Sequence, residues 1–202
     1  SYIAESLGYG TDVIMDLAVA PNGNVIIGCN NGAVYVRDSM LQGLATEWSF
    51  GAVTAVAVQP NGNIVIGNAA GMLWVRGGLL EASQADAGYA TISDIAVQPN
   101  GNIVVGNTDG ILRIRDGNDI SINLAYQSYG SIYRVACQSD GDVVIASNYN
   151  NGTLWLADGS SLATKASGSG YYQVTFLGVQ VGEPVVPEVP RFTSGWFDNA
   201  DW

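Results

Sequence analysis

The sequence contains no histidine. Histidine is the commonest general base and a frequent metal ligand, and it titrates near neutral pH. Its absence excludes Ser-His-Asp triads, imidazole zinc sites and imidazole pH switches. The sequence also has no Walker-type phosphate loop, nucleophile elbow or zinc-spaced cysteine pair. Two carboxylates alone can hydrolyse glycosides, but no acidic pair stands out. We therefore expect no enzyme, no cofactor and no metal site.

Positive charge is scarce as well. The chain has one lysine (Lys165) and six arginines against 18 acidic residues, so its net charge is -11. Nucleic acids and anionic membranes are recognised by basic surfaces, and we expect neither as a partner. The 202 residues are 48% hydrophobic, which is typical of a globular chain that buries a core rather than a disordered acidic one.

Long apolar runs and cysteines are few. No run approaches the ~18 residues that cross a bilayer. Cys29 and Cys137 lie at non-equivalent positions of the repeat described below, so we expect two buried free thiols, although their spacing leaves a disulfide open. The chain begins at Ser1 without a basic segment followed by an apolar one, and we expect no signal peptide and synthesis in the cytoplasm.

A repeat of about forty residues dominates the chain. Each copy has an apolar run, an Asx-Gly pair and a second apolar run. The Asx residues of the four copies are Asn22, Asn61, Asn100 and Asp140, at spacings of 39, 39 and 40 residues. Asx-Gly between β-branched runs predicts a hairpin with a type I′ turn. A Gly-containing turn then predicts a third strand, and a looser stretch supplies a fourth.

Burial on both faces is expected of these strands. In the first strand, large residues alternate with alanine (Ala18, Ala57, Ala96, Ala136) instead of polar residues. We expect the alanine residues of one sheet to pack on the large residues of the next.

Four short strands per forty residues indicate a propeller blade. The segment from Ile92 to Asp116, IxDIAVQPNGNIVVGNTDGILRIRD, resembles the blade repeats of bacterial β-propellers of the two-component-regulator, NHL and tectonin-like types. The resemblance covers residues 12 to 180 and implies a fold, not an activity.

The predicted fold is therefore an all-β propeller of short, four-stranded antiparallel blades, with four clear repeats and an incomplete fifth. Gly170 to Phe176 resembles the start of another first strand, and Tyr2 to Gly8 resembles an outer strand that could close the last blade. Four blades, or an open arc completed by another chain, remain alternatives. We assign residues 1–182 to the propeller and residues 183–202 to a Pro-rich extended arm.

Two sets of residues are candidates for binding. The aromatic end of the arm could dock on its own unfinished blade or on a neighbouring subunit. Polar residues after the hairpin turns are best explained as turn residues, but a ring of them could bind sugar hydroxyls. The docking set is Phe192, Trp196, Phe197 and Trp202, and the polar set is Asn24, Asn63, Asn102 and Asp142.

Other recurring side chains have structural explanations. The third-strand residues Tyr35, Trp74 and Trp155, with Arg113 in the equivalent place, are expected to pack between blades, with stacking on sugars as the alternative. Arg37, Arg76 and Arg115 are expected to pair with nearby acids such as Asp38 and Asp116.

The function that we expect is a non-enzymatic structural or interaction protein within a larger assembly, such as a phage head decoration, fibre or tail subunit, located in the virion and made in the host cytoplasm. The alternative is a glycan-binding propeller located outside the cell or on its surface.

Overall fold

The computed structural model describes residues 12–81 and 83–171. Within these ranges it contains sixteen strands and a short 3-10 helix, Tyr149–Asn151. The strands are β1 (Ile14–Val19), β2 (Val25–Cys29), β3 (Val34–Arg37), β4 (Gly43–Glu47), β5 (Val53–Val58), β6 (Ile64–Asn68), β7 (Met72–Arg76), β8 (Ser83–Ala87), β9 (Ile92–Val97), β10 (Ile103–Asn107), β11 (Ile111–Arg115), β12 (Asn123–Ser128), β13 (Ile132–Cys137), β14 (Val143–Ser147), β15 (Thr153–Ala157) and β16 (Thr164–Ser169). No helix in these ranges is long and apolar enough to cross a bilayer.

The strands form four antiparallel sheets, one for each sequence repeat, and consecutive strands are neighbours in each sheet. We call them sheet I (β1–β4), sheet II (β5–β8), sheet III (β9–β12) and sheet IV (β13–β16). The first hairpin and the connection from third to fourth strand lie at one end of each sheet, the hairpin end. The other turn and the connection to the next sheet lie at the opposite end, the crossover end. This confirms the all-β, four-stranded repeat and is consistent with a propeller-like arrangement.

The Asx-Gly turns differ in type from the prediction. In sheet II, the amide of Gly62 donates to the carbonyl of Gln59 at 2.8 Å, and the amide of Gln59 donates to the carbonyl of Asn63 at 2.8 Å. Gly62 has a φ of 89°, whereas Asn61 is not among the residues with positive φ. Pro60 fixes the first position of a type I turn, and the glycine follows in the left-handed bulge position. The predicted type I′ turn, with positive φ at both central residues, is therefore wrong.

Consecutive sheets pack face to face, and their first strands adjoin. At each internal interface, the alanine face of one sheet meets the large-residue face of the next, as predicted. The pairs of first-strand residues in these three interfaces are Ala18 with Val56, Ala57 with Ile95, and Ala96 with Val135. Burial of large apolar side chains is the main stabilising contribution, at about 25 cal/mol for each Å² removed from water.

A glycine in the second strand lets each sheet approach the next one closely. A Cβ atom on Gly67 would lie 2.7 Å from Cγ2 of Ile92 and 2.8 Å from Cδ1 of Ile95. Gly28 and Gly106 are placed in the same way, with their nearest neighbours at 2.7 and 2.8 Å. These glycines have ordinary strand backbones, so the missing side chain, and not a left-handed φ, explains the residue.

Aromatic and arginine side chains also join consecutive sheets. The third-strand residue of one sheet lies against the aromatic residue that follows the outer strand of the preceding sheet. The ring centroids of Trp74 and Phe50 are 5.3 Å apart, those of Trp155 and Tyr129 are 5.4 Å apart, and the guanidinium of Arg113 is 5.1 Å from the ring centroid of Tyr89. Tyr35 instead meets Trp48 of its own sheet, at 5.6 Å. The described structure thus uses these positions for packing.

The predicted arginine pairs with sequence neighbours are wrong for two of the three arginines. Arg76 pairs with Glu47 at 2.7 Å and Arg115 with Asp86 at 2.8 Å, and each acid belongs to the preceding sheet. Asp38 and Asp116 are occupied locally, because each accepts backbone N–H groups of its own connection between third and fourth strand. The guanidinium of Arg37 lies over the ring of Tyr35.

The two outermost faces of the stack are less covered than the internal ones. Leu17 of sheet I is 56% exposed, whereas the equivalent Val56 and Val135 are each 4% exposed. On the far side of sheet IV, Val144 and Leu154 are half-buried, whereas the equivalent residues of the other sheets are almost fully buried. The free face of sheet I has the pattern of a large-residue face, and that of sheet IV has the pattern of an alanine face.

Candidate functional site

An apolar cavity of about 480 Å³ lies at the hairpin end, where the first strands of all four sheets finish. We call it the mouth. Its wall is built from equivalent positions of the repeat, and none of its lining residues is charged. These positions are the last residues of the first strands (Val19, Val58, Val97, Cys137) and the first turn residues (Pro21, Pro60, Pro99, Ser139). Burial raises the pKa of the Cys137 thiol to about 12, so the thiol is protonated at neutral pH.

Two buried glutamines in the mouth wall join consecutive sheets. Nε2 of Gln59 donates to the carbonyls of Gly101 and Gly117 in sheet III, at 2.7 and 2.9 Å. Nε2 of Gln98 donates to Gly141 and Gly159 of sheet IV, both at 2.7 Å. Each Oε1 is buried without a hydrogen-bond partner in the described part of the chain. An unsatisfied buried acceptor costs about 1–3 kcal/mol.

Two polar pockets lie beside the mouth, each between the turns of adjacent sheets. The pocket between sheets II and III has a volume of about 200 Å³ and is lined by Asn61, Asn100 and Asn118 among others. The pocket between sheets III and IV has a volume of about 310 Å³, and its wall includes Asn100, Asp142 and Lys165. Backbone and amide groups dominate the first pocket. The second adds charged groups, namely Asp140, Asp142, Asp158 and Lys165.

The four residues of the predicted polar set fall into two pairs that differ in their side-chain hydrogen bonds. Oδ1 of Asn102 accepts the amide of Gly117 at 3.3 Å, and Oδ1 of Asp142 accepts the amide of Gly159 at 3.2 Å. These two residues therefore brace loops of their own sheets. Within the described ranges, the side chains of Asn24 and Asn63 make no such hydrogen bond. The four residues follow their turns in equivalent positions, but only Asp142 lines one of the pockets described above.

Asp142 also binds the one lysine. Nζ of Lys165 donates to both carboxylate oxygens of Asp142, at 2.6 and 2.7 Å, and lies 3.5 Å from Asp158. The hydrogen bond to Asp142 raises the pKa of Lys165. Sequence reasoning missed this cluster because its members come from three separate strands and loops of sheet IV.

A second cluster that the sequence analysis missed lies along the first strands. Asp16, Asp94 and Arg134 occupy the same repeat position, which is Ala55 in sheet II. Oδ2 of Asp94 accepts the amide of Val135 in the next sheet at 2.8 Å, and Oδ2 of Asp16 accepts the amide of Val56 at 2.7 Å. Each aspartate therefore bridges its own sheet to the following one. The signal was present, since three of the four copies carry a charged residue at this position of a mainly apolar strand.

Burial determines the electrostatics of this cluster. It raises the pKa of Asp94 to about 7, while the amide of Val135 and the charge of Arg134 act in the opposite direction and the carboxylate of Asp16 adds to the rise. Burial also raises the pKa of Asp16, against the amide of Val56. Near neutral pH, Asp94 is thus present in both protonation states.

In the described ranges, no group of three or more acidic or thiol side chains is arranged to hold a metal ion.

The predicted docking set, Phe192, Trp196, Phe197 and Trp202, lies outside the described residues, as do residues 183–202 as a whole and Tyr2 to Gly8. Both cysteines are free thiols.

No protein-family model and no curated protein matches the chain.

Proposed function

We propose that the four sheets are blades of a β-propeller that is completed by a fifth, incomplete blade of the same chain. The exposed face of sheet I and the half-buried face of sheet IV support this, because they have the two complementary patterns that meet at every internal interface. One additional sheet with a large-residue face and an alanine face would cover both.

The backbone at the end of sheet IV supports the same proposal. After the outer strand of each sheet, an amide donates to the carbonyl of the glycine in the turn before the third strand. These bonds run from Phe50 to Gly32, from Tyr89 to Gly71, from Tyr129 to Gly110, and from Gly170 to Gly152. The chain therefore leaves sheet IV by the path that leads to a first strand in the three earlier cases. Gly170 to Phe176, which resembles a first strand in sequence, begins there.

Two leucines of equal exposure test the fifth blade. Leu17 is 56% exposed and Leu79, in the connection between β7 and β8, is 54% exposed. If a fifth blade covers Leu17, Leu17→Ser loses about 1.5–3 kcal/mol of unfolding free energy, while Leu79→Ser changes it by about 0.5 kcal/mol or less. Denaturant titration measures both. Equal, small effects would contradict the fifth blade, and an effect that grows with protein concentration would assign the cover to a second copy.

For the propeller as a whole we propose a non-enzymatic role as a structural subunit of a larger assembly, of the kind that decorates phage heads or builds fibres and tails. The observation that carries this proposal is the mouth, an uncharged apolar concavity shared by all four sheets of a chain whose net charge is -11. Apolar concave surfaces of this kind mark interaction sites. The aromatic arm supplies a second contact element.

Light scattering coupled to size exclusion tests this role with the full chain and a variant whose four docking aromatics, Phe192, Trp196, Phe197 and Trp202, are serine. We expect the full chain to form species heavier than one copy and the variant to remain monomeric. Met40→Ser, which removes an apolar side chain that is 71% exposed and lies outside the mouth, serves as the control. Monomers of both chains at all concentrations would contradict the proposal.

Glycan binding is the second candidate, and the two polar pockets favour it. Asn100 lines both of them, and its Oδ1 accepts the amide of Asn102 at 3.0 Å. The amides of the first pocket and the carboxylates of the second can bond the hydroxyl groups of one or two sugar units. A glycan array should then show binding that Asn118→Ala weakens. No binding to any glycan would exclude this candidate.

A further inference from the structure

We propose that the mouth is the acceptor for a tryptophan of the C-terminal arm, Trp196 or Trp202, supplied by a second copy of this chain. This inference rests on the proposed role of the arm and names the surface on which it docks. The four sheets contribute equivalent residues to the mouth, so the acceptor is a property of the whole stack and not of one loop.

The chemistry of the mouth wall matches an indole. Valine, proline and thiol side chains offer an apolar surface without charge, and about 480 Å³ lies within the range of small-molecule pockets. The same wall contains Gln59 and Gln98, whose buried Oε1 atoms have no partner in the described residues. An indole combines an apolar body with one N–H donor. A donor that reached either oxygen would remove the cost of an unsatisfied acceptor, which phenylalanine cannot do.

The order of the chain favours a second copy as the donor. A fifth first strand, running as the other four do, would finish at the hairpin end beside the chain's own mouth. Between that point and the first docking aromatic lies Pro184 to Pro190, with proline at every third position. Segments of this composition favour a stiff, extended conformation of about 3.1 Å for each residue. Seven such residues would span about 20 Å, which favours contact of the aromatic residues with the mouth of a neighbour over the chain's own.

Cys137 provides a built-in reporter of occupancy, because it lines the mouth while Cys29 is fully buried. We would follow alkylation of Cys137 by iodoacetamide with mass spectrometry in the full chain, using Cys29 as the internal reference, across a range of protein concentrations. Light scattering would be recorded on the same samples. The variants are Trp196→Ala/Trp202→Ala, and as a matched control Trp48→Ala, which removes a tryptophan that is 57% exposed on sheet I.

We expect Cys137 of the full chain to become about tenfold less reactive as concentration and mass rise, which corresponds to about 1.4 kcal/mol of protection. The double variant should lose both the protection and the mass increase, and Trp48→Ala should keep both. Unchanged reactivity in the double variant would overturn the proposal. Protection that does not depend on concentration would also overturn it, because the arm would then occupy its own mouth.

A further pair of variants separates this proposal from the proposed function. Val58→Thr and Val97→Thr make the mouth wall polar with little change in volume, and thermal melting checks that each variant is folded. Loss of assembly in both supports the acceptor site. If assembly depends on the two tryptophans but persists in both threonine variants with Cys137 unprotected, the mouth is not the acceptor and the proposed function stands. A chain that remains monomeric contradicts both.

Discussion

Gly67→Ala is a direct test of the close approach between sheets II and III. The new methyl group would lie 2.7 Å from Cγ2 of Ile92 and 2.8 Å from Cδ1 of Ile95, well inside ordinary contact distance. Ile92 is fully buried and β-branched, so its Cγ2 atom cannot turn away without a change of rotamer in a filled interface. One of the two sheets must therefore shift.

The expected magnitude follows from two opposing contributions. Overpacking a filled core costs about 1–3 kcal/mol, and replacing glycine by alanine regains about 0.4–1 kcal/mol by restricting the unfolded chain. The net loss is at most about 2.6 kcal/mol, with a central value of about 1.3 kcal/mol, which lowers the melting temperature by about 3–5 °C in a chain of this size.

Gly78→Ala is the matched control, because its nearest neighbour, the carbonyl oxygen of Gly62, lies 3.4 Å from the new atom. We expect this variant to be as stable as the natural chain or slightly more stable. Differential scanning calorimetry and urea unfolding measure both variants. If Gly67→Ala were as stable as Gly78→Ala, the interface would have room for a methyl group, and the reasoning on sheet spacing would be refuted.

Three further perturbations follow from the contacts between sheets. Burial raises the pKa of Asp94 from 3.8 to about 7, so the folded chain holds the Asp94 proton more tightly than the unfolded chain does. The stabilisation from this proton is complete below pH 3.8. The free energy of unfolding then falls by up to about 4 kcal/mol as the pH rises to about 7. Asp94→Asn should flatten that slope in urea unfolding, and Asp109→Asn should not. Gln98→Ala should cost about 1–3 kcal/mol by leaving two carbonyls without donors, and an unchanged midpoint would argue against this bridge. Arg115→Lys should cost about 1 kcal/mol, because lysine cannot bond both partners of the guanidinium; equal stability of the two chains would show that the fork geometry is unimportant.

Local sequence patterns predicted the repeat well. Four copies, four strands in each and alternating large and small faces follow from spacing and hydrophobic pattern, since both reflect interactions within one unit. The turn type was wrong although Pro60 suits the first position of a type I turn. Proline is not required for it, since sheet IV makes the same turn with Ser139 in that place.

Contacts between units were harder to predict. Arg76 and Arg115 each pair with an acid 29 residues earlier in the chain. Arg76 is followed by glycine, and Asp116, which follows Arg115, already binds loop amides. The glutamine and aspartate bridges were visible as polar residues that recur in mainly apolar segments of the repeat, but only the packing direction shows which sheet they reach. The mouth was not predicted at all, since it exists only where four first strands end together.

The glutamine, aspartate and glycine contacts between sheets all act in the same direction along the chain. Each glutamine, each aspartate and each close-packed glycine belongs to one sheet and acts on the next, never on the preceding one. Interfaces built in one direction are interchangeable, and stability then becomes a sum over neighbouring units. The number of units is consequently not encoded in the middle of the chain, where another copy of the repeat would find the same partners. The large-residue face of sheet I and the alanine face of sheet IV are the two outermost faces of the described stack, and in the proposed fifth blade each would find the kind of face that it lacks.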